Sequence, residues 1–168
     1  MKKICLLSDT HGFIDEAILL HAKTADEIWH AGDIGSEDVL NELEKIKPVR
    51  AVSGNIDGQK IRTRCPENLR FHLDGLDIWI THIAGYTGHY DRRIFSELKS
   101  NPPQLLVCGH SHILRVVRDP ALKNMLLMNP GAAGRSGFHL LRTLLLFEID
   151  SGKIQNVSAI ELGKRSSE

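Results

Sequence analysis

A chain of 168 residues in which 42% of side chains are apolar and 25% charged can fill one packed core, which excludes the disordered and fibrous classes. Lys plus Arg and Asp plus Glu stand at 21 each, so no overall positive field holds a polyanion, and a long nucleic-acid substrate is disfavoured. No run approaches the ~20 apolar residues of a membrane span, so no membrane-embedded role is expected.

Ile4 to Leu7 is an apolar run ending in a polar turn, Ser8 to Gly12, after which Ile14, Ala17, Ile18 and Leu20 begin a helical face. Glu27 to His30 is the second predicted strand, closed by Ala31, Gly32 and Asp33. Ser36 can cap a helix whose Glu37 and Asp38 suit its positive end, with Val39, Leu40, Leu43 and Ile46 on one face. Pro48 closes that helix, and Val49 to Val52 makes a third strand before the loop Ser53 to Gly58. Strands alternating with helical spacing are the pattern of βαβ units and a parallel sheet. From Leu69 the pattern becomes a hairpin, Leu69 to Leu73 and Leu76 to Thr81, turned at Asp74 and Gly75. Ile94, Phe95 and Leu98 set a helix over Asp91 to Lys99, which Pro102 and Pro103 end. Leu105 to Cys108 follows as a buried strand. Ile113 to Val117, Met125 to Met128, Leu140 to Ile149 and Ile154 to Ile160 read as further strands, expected to form a second sheet. Two mixed sheets face to face with helices outside predict an α/β fold, a four-layer α/β/β/α sandwich, in a single domain over 1–168 with its core at about 2–160. Cys5, Cys65 and Cys108 are odd in number and lack metal-like spacing, so they read as small buried hydrophobes in a reducing compartment. With too short an apolar run for a signal peptide, a cytoplasmic location is expected.

Five apolar runs each end in a metal-capable side chain: Asp9 with His11, Asp33, Asn55, His82, and His110 with His112. Groups beyond the carboxyl ends of neighbouring strands share one crevice, so distance in sequence does not separate them. Gly32, Gly54 and Gly109 each precede a donor, where a tight turn would let the next side chain point inward. Taken singly, Asp9 or Asp33 reads as a helix cap and Asn55 as a turn residue. Taken together, three oxygen donors and four imidazoles without a thiolate suit Mn²⁺, Fe²⁺, Ni²⁺ or Zn²⁺, with Mg²⁺ also admissible. Seven donors exceed one ion, so two divalent metal ions are expected, with Asp33 as the bridge.

The set Asp9-Thr10-His11, Gly32-Asp33, Gly54-Asn55, His82 and Gly109-His110-Ser111-His112 resembles that of the calcineurin-like metallophosphoesterases. The short length is similar to their YfcE-like branch of small phosphodiesterases, and the likeness runs from about residue 4 to 150. The resemblance implies a first metal, Mn²⁺ foremost, among Asp9, His11, Asp33 and His112, and a second among Asp33, Asn55, His82 and His110. It also implies in-line attack on phosphorus by a hydroxide bridging the ions, with Asp33 and Asn55 in catalytic roles, and a rim shaped by Asn129, Pro130 and Gly131. Two departures stand out. Many relatives place a His after the Asn donor, where it assists the leaving group, but this chain has Ile56; Asp57 is the candidate substitute, or else a brace for the loop. Relatives usually follow the His82 donor with Gly, whereas Ile83 stands here.

His89 and His139 follow glycine-containing loops that can reach the rim, to contact a substrate phosphate or replace the missing acid. Arg135 can grip a phosphate bidentately, although a surface role is favoured. Asn55, His89, Arg135 and His139 are thus the candidate substrate contacts, while His21, His30 and His72 read as surface or packing residues. The expected function is a metal-dependent phosphodiesterase acting on a small phosphate-ester substrate, with homo-oligomerisation left open. The alternative is a non-catalytic scaffold binding partner proteins, as in the small retromer subunit of the same fold.

Overall fold

The structure is a computed structural model and describes residues 1–166, so the last two positions of the expected domain lie outside the described residues. Its first half follows the predicted alternation: β1 (Lys2–Leu7), α1 (Glu16–Lys23), β2 (Glu27–His30), α2 (Glu37–Glu44) and β3 (Val49–Ala51). The three strands are parallel, with Leu6 opposite Trp29 and Trp29 opposite Arg50. Asp15 starts α1 by accepting the Ile18 N–H at 3.1 Å, one of the donors a helix cannot satisfy internally. A short helix not expected from the sequence, α3 (Gln59–Arg64), follows the loop after β3.

The predicted hairpin, β4 (Asn68–Leu73) and β5 (Leu76–Thr81), opens the second sheet. Two short strands, β6 (Gly85–Tyr86) and β7 (His89–Tyr90), precede α4 (Arg92–Ser100) and β8 (Leu105–Val107). Then come β9 (Leu114–Asp119), β10 (Met125–Pro130), β11 (Leu141–Asp150) and β12 (Lys153–Lys164). The second sheet runs β4-β5-β8-β10-β9 and the first β12-β11-β1-β2-β3, both mixed. The last hairpin therefore joins the first sheet instead of the second, contrary to the sequence reading. The reason lies in β1, whose Ile4 and Leu6 face one way and Cys5 and Leu7 the other. A strand buried on both faces needs a partner on each edge, and β11, with a continuous buried run from Arg142 to Leu145, supplies it antiparallel.

Among the described residues the core falls into three apolar clusters that define four layers. Ile4, Leu6, Trp29, Ile78, Val107 and Phe147 fill the space between the sheets. There the Trp29 ring meets Phe71 and Phe147 edge-on, with centroids 5.4 and 5.6 Å away. Ile18 and Ala22 of α1, Leu40 and Leu43 of α2 and Ile61 of α3 cover the outer face of the first sheet. Ile94 and Leu98 of α4 cover Trp79, Leu106 and Leu127 on the second. The α/β/β/α sandwich is thus present. Cys5, Cys65 and Cys108 are free and buried. No helix among the described residues is long and apolar enough to cross a membrane.

Candidate metal centre

The loops after β1, β2, β3, β5 and β8 carry the seven expected donors to one rim of the sandwich. Six fall into two groups, Asp9 with His11 and His112, and Asp33 with His82 and His110, the ligand atoms of each group lying within 4.8 Å of one another. Asp33 Oδ2 stands 3.5 Å from His11 Nε2 and 3.2 Å from His82 Nε2, so one carboxylate faces both groups. Asp9 Oδ1 also looks across, 3.2 Å from His112 Nε2 and 3.8 Å from His82 Nε2. The Asn55 Oδ1 lies 3.0 Å from His110 Nδ1, which sets the amide beside the second group.

Asp9 Oδ1, His11 Nε2 and His82 Nε2 are buried there without a hydrogen-bond partner. Each such orphan costs about 1–3 kcal/mol, and a cation among them removes that cost. Imidazole, carboxylate and amide donors without thiolate fit a first-row divalent ion.

Hydrogen bonds on the far side of each donor aim it. Asp9 Oδ2 accepts from Ser8 Oγ at 2.7 Å and the His110 N–H at 3.1 Å, and Asp33 Oδ1 accepts the Ile56 N–H at 3.1 Å. His82 Nδ1 donates to the Ala31 carbonyl at 2.7 Å, so its Nε2 lone pair turns to the carboxylates. His30 is fully buried beneath this layer. Its Nδ1 accepts the Gly32 N–H at 3.1 Å and its Nε2 donates to Thr10 Oγ1 at 2.9 Å, tying the first two donor loops together. Gly54 and Gly109 serve close approach: a Cβ at 54 would collide with Asp33 Oδ1 and one at 109 with Ser8 Oγ and Asp9 Oδ2. The sequence suggested tight turns at these positions, a role that only Gly32, at φ 100°, has in addition.

Burial alone would raise the Asp9 carboxyl, but His112, His82 and Ser8 outweigh it and hold it below the ordinary range. Asp33 is likewise lowered, burial being overcome by His82, the Ile56 N–H and His11. His82 is raised, because Asp33 and Asp9 overcome its burial, whereas burial and His82 lower His110. Burial pushes His30 down to about 4.

The remaining candidates take different places. Asp57 is buried, and its oxygens accept the N–H groups of Gly54, Ile34 and Gly35 at 2.8, 3.1 and 2.8 Å, the geometry of the loop brace rather than of an acid facing substrate. His139 contacts His112, Nδ1 to Nδ1, at 3.1 Å, and its Nε2 lies 2.9 Å from the Gly134 carbonyl. His89 is exposed on β7 with its ring 5.0 Å from Tyr86, and Arg135 lies over Phe13 at 4.4 Å. Among the described residues neither makes a hydrogen bond or ion pair with the seven donors. Asn129 donates to the Gly109 carbonyl at 2.9 Å and to Ser111 Oγ at 3.0 Å, shaping the rim as expected. The sequence reading missed Ser8 and the bracing role of His30; a hydroxyl directly before Asp9 was the one local signal.

Fold and rim together define an α/β/β/α sandwich with candidate metal-ligand groups at one rim. The chain belongs to the calcineurin-like phosphoesterase superfamily, whose domain model matches residues 1–152. It is 31% identical over 135 residues to a probable metallophosphoesterase of Methanothermobacter thermautotrophicus, a match covering 77% of this chain and 76% of that relative. Its fold is similar to that of a Streptococcus pneumoniae protein described as a predicted phosphoesterase, at TM-score 0.68 and 22% identity, covering 96% of this chain and 90% of the other. It is similar too to Entamoeba histolytica Vps29 complexed with zinc, at TM-score 0.70 and 16% identity, covering 96% and 99%.

Proposed function

We propose that this protein is a Mn²⁺-dependent phosphodiesterase with two ions at the rim, acting on small phosphodiesters. The observation that carries the reading is the facing of two donor groups across Asp33, with three buried ligand atoms lacking any other partner. Divalent ions held there would supply a water of lowered pKa and offset charge on the phosphoryl oxygens. His11 and His112 would hold one ion with Asp9, His82 and His110 the other with Asn55, and Asp33 would bind both.

Two cavities adjoin the second donor group. One, of about 210 Å³, is lined by Ser53, Asn55, Arg62, Asn68, His82 and Arg93. The other, of about 370 Å³, is lined by Ala84, Tyr86, His110, Ile113 and Arg115, with Ile83 a wall of both. A diester has two organic arms, and two adjoining cavities beside the donors can take one arm each, which suits it better than a monoester. Ile56, exposed where an acid would stand, leaves no group at that position to protonate a departing alkoxide. Substrates whose leaving group departs as a stable anion should therefore turn over fastest.

The test adds Mn²⁺ to metal-stripped protein and compares an aryl phosphodiester with an aryl phosphomonoester. Diester hydrolysis that needs the metal, exceeds monoester hydrolysis and disappears in Asp33→Asn is the expected result. Hydrolysis indifferent to chelator sinks the mechanism. A wild-type protein that binds no metal favours the scaffold reading.

A further inference from the structure

The segment between β10 and β11 packs a second imidazole against a donor. His112 and His139 meet with ring centroids 5.0 Å apart and planes at 73°, their Nδ1 atoms 3.1 Å from each other. On its other side His139 Nε2 is 2.9 Å from the Gly134 carbonyl. A carbonyl only accepts, so the ring hydrogen of His139 sits on Nε2 and its Nδ1 carries a lone pair. Two lone pairs cannot share a 3.1 Å contact, so the hydrogen between the rings belongs to His112 Nδ1. His112 Nε2 then keeps its lone pair toward Asp9 Oδ1, 3.2 Å away, an acceptor–acceptor contact that a cation between the two atoms relieves.

We infer that His139 is a positioning residue that fixes His112 in the tautomer whose Nε2 lone pair faces Asp9 and His11, ready for a divalent cation. The inference rests on the metal-centre reading above. His82 achieves the same end with a backbone carbonyl as acceptor; at His112 an imidazole stands in for it.

The surrounding chain is built to hold this contact. Gly137, at φ 127°, lies against the His112 ring, where any Cβ would collide with Nδ1. Beyond the end of β12, Arg165 donates from Nε to the His139 carbonyl and from its backbone N–H to the Leu140 carbonyl, each at 2.9 Å. With both ring nitrogens engaged, His139 has neither left for a substrate phosphate or a leaving group.

Long-range ¹H–¹⁵N correlation spectra of uniformly labelled, metal-free wild-type protein read the tautomer directly. Expected are Nδ1–H for His112 and Nε2–H for His139; an Nε2–H tautomer at His112 overturns the proposal. A second measurement compares Mn²⁺ affinity by chelator competition. His139→Leu should weaken Mn²⁺ binding at the Asp9, His11 and His112 group about 10- to 100-fold. His139→Asn, whose Oδ1 can accept the same Nδ1 hydrogen, should stay within a few-fold of wild type. Equal affinity in all three proteins, or an equal loss in both variants, overturns the positioning role. Wild-type protein that binds no Mn²⁺ fails the phosphodiesterase reading, and the metal-free spectra then decide this inference alone.

Discussion

Asp9, His11, Asp33, His110 and His112 hold left-handed backbone angles, with φ between 47° and 69°. Non-glycine residues avoid this region because Cβ crowds the following carbonyl, and each instance costs on the order of 1 kcal/mol or more. Five of the seven donors sharing that strain argues that it is held by function, since the sharp turn sends the side chain back over the strand end. His110 isolates the cost, being exposed. His110→Gly and His110→Ala lose the same ring and the same contact with Asn55, yet only Ala keeps a Cβ in the left-handed region. Urea unfolding of the metal-free proteins should find His110→Gly more stable than His110→Ala by about 1 kcal/mol. Equal stabilities would mean that position 110 is unstrained. Both variants should lose Mn²⁺ at the second donor group.

The loops meet through their backbones, and this is where the elements depend on one another. The loop after β3 lies directly on the carboxylate of the loop after β2, because Gly54 leaves room for Asp33 Oδ1. Gly54→Ala should therefore retain the circular dichroism of wild type while lowering Mn²⁺ affinity at least tenfold, an order comparable with loss of a supporting hydrogen bond. Unchanged affinity would show that the loops separate without consequence. The strands other than β6 and β7, and the helices α1, α2 and α4, were readable because their apolar residues recur at regular spacing. Helix α3 was not: Ile61 is its one large apolar residue, and it is held by Arg62, which donates to the Asp57 and Gly54 carbonyls and to Glu67. The place of β11 and β12 was hidden for a similar reason, since a strand's partner is chosen by the edge left open elsewhere. All seven donors were legible as polar residues closing apolar runs. The bracing roles of His30 and His139 were not, because their partners lie at other points along the chain, whereas Asp57 was read as either an acid or a loop brace and proves to be the brace.

His30 connects this site to the stability of the whole fold. It closes β2, between β1 and β3 in the first sheet, fully buried and hydrogen-bonded on both ring nitrogens. Protonation would place a second donor against the Gly32 N–H inside the sandwich, so burial holds its pKa at about 4 instead of 6.5. Below 6.5 the unfolded chain takes up a proton that the folded chain refuses until about 4, and stability falls as the pH drops through that window. His110 and His139, also lowered, act in the same sense. His82, raised, acts above 6.5, where its contribution is lost as the pH rises. Asp9 and Asp33, lowered, act below 3.8, where theirs is lost as the pH falls. At 1.36 kcal/mol per unit, His30 should account for about 2 kcal/mol of lost stability between pH 7.5 and 5. Urea unfolding of metal-free wild type and His30→Gln at both pH values tests this through the change with pH, independently of how stable the variant is at the start. Wild type should lose about 2 kcal/mol more than the variant; parallel losses would mean that a proton enters at His30 without the sandwich opening.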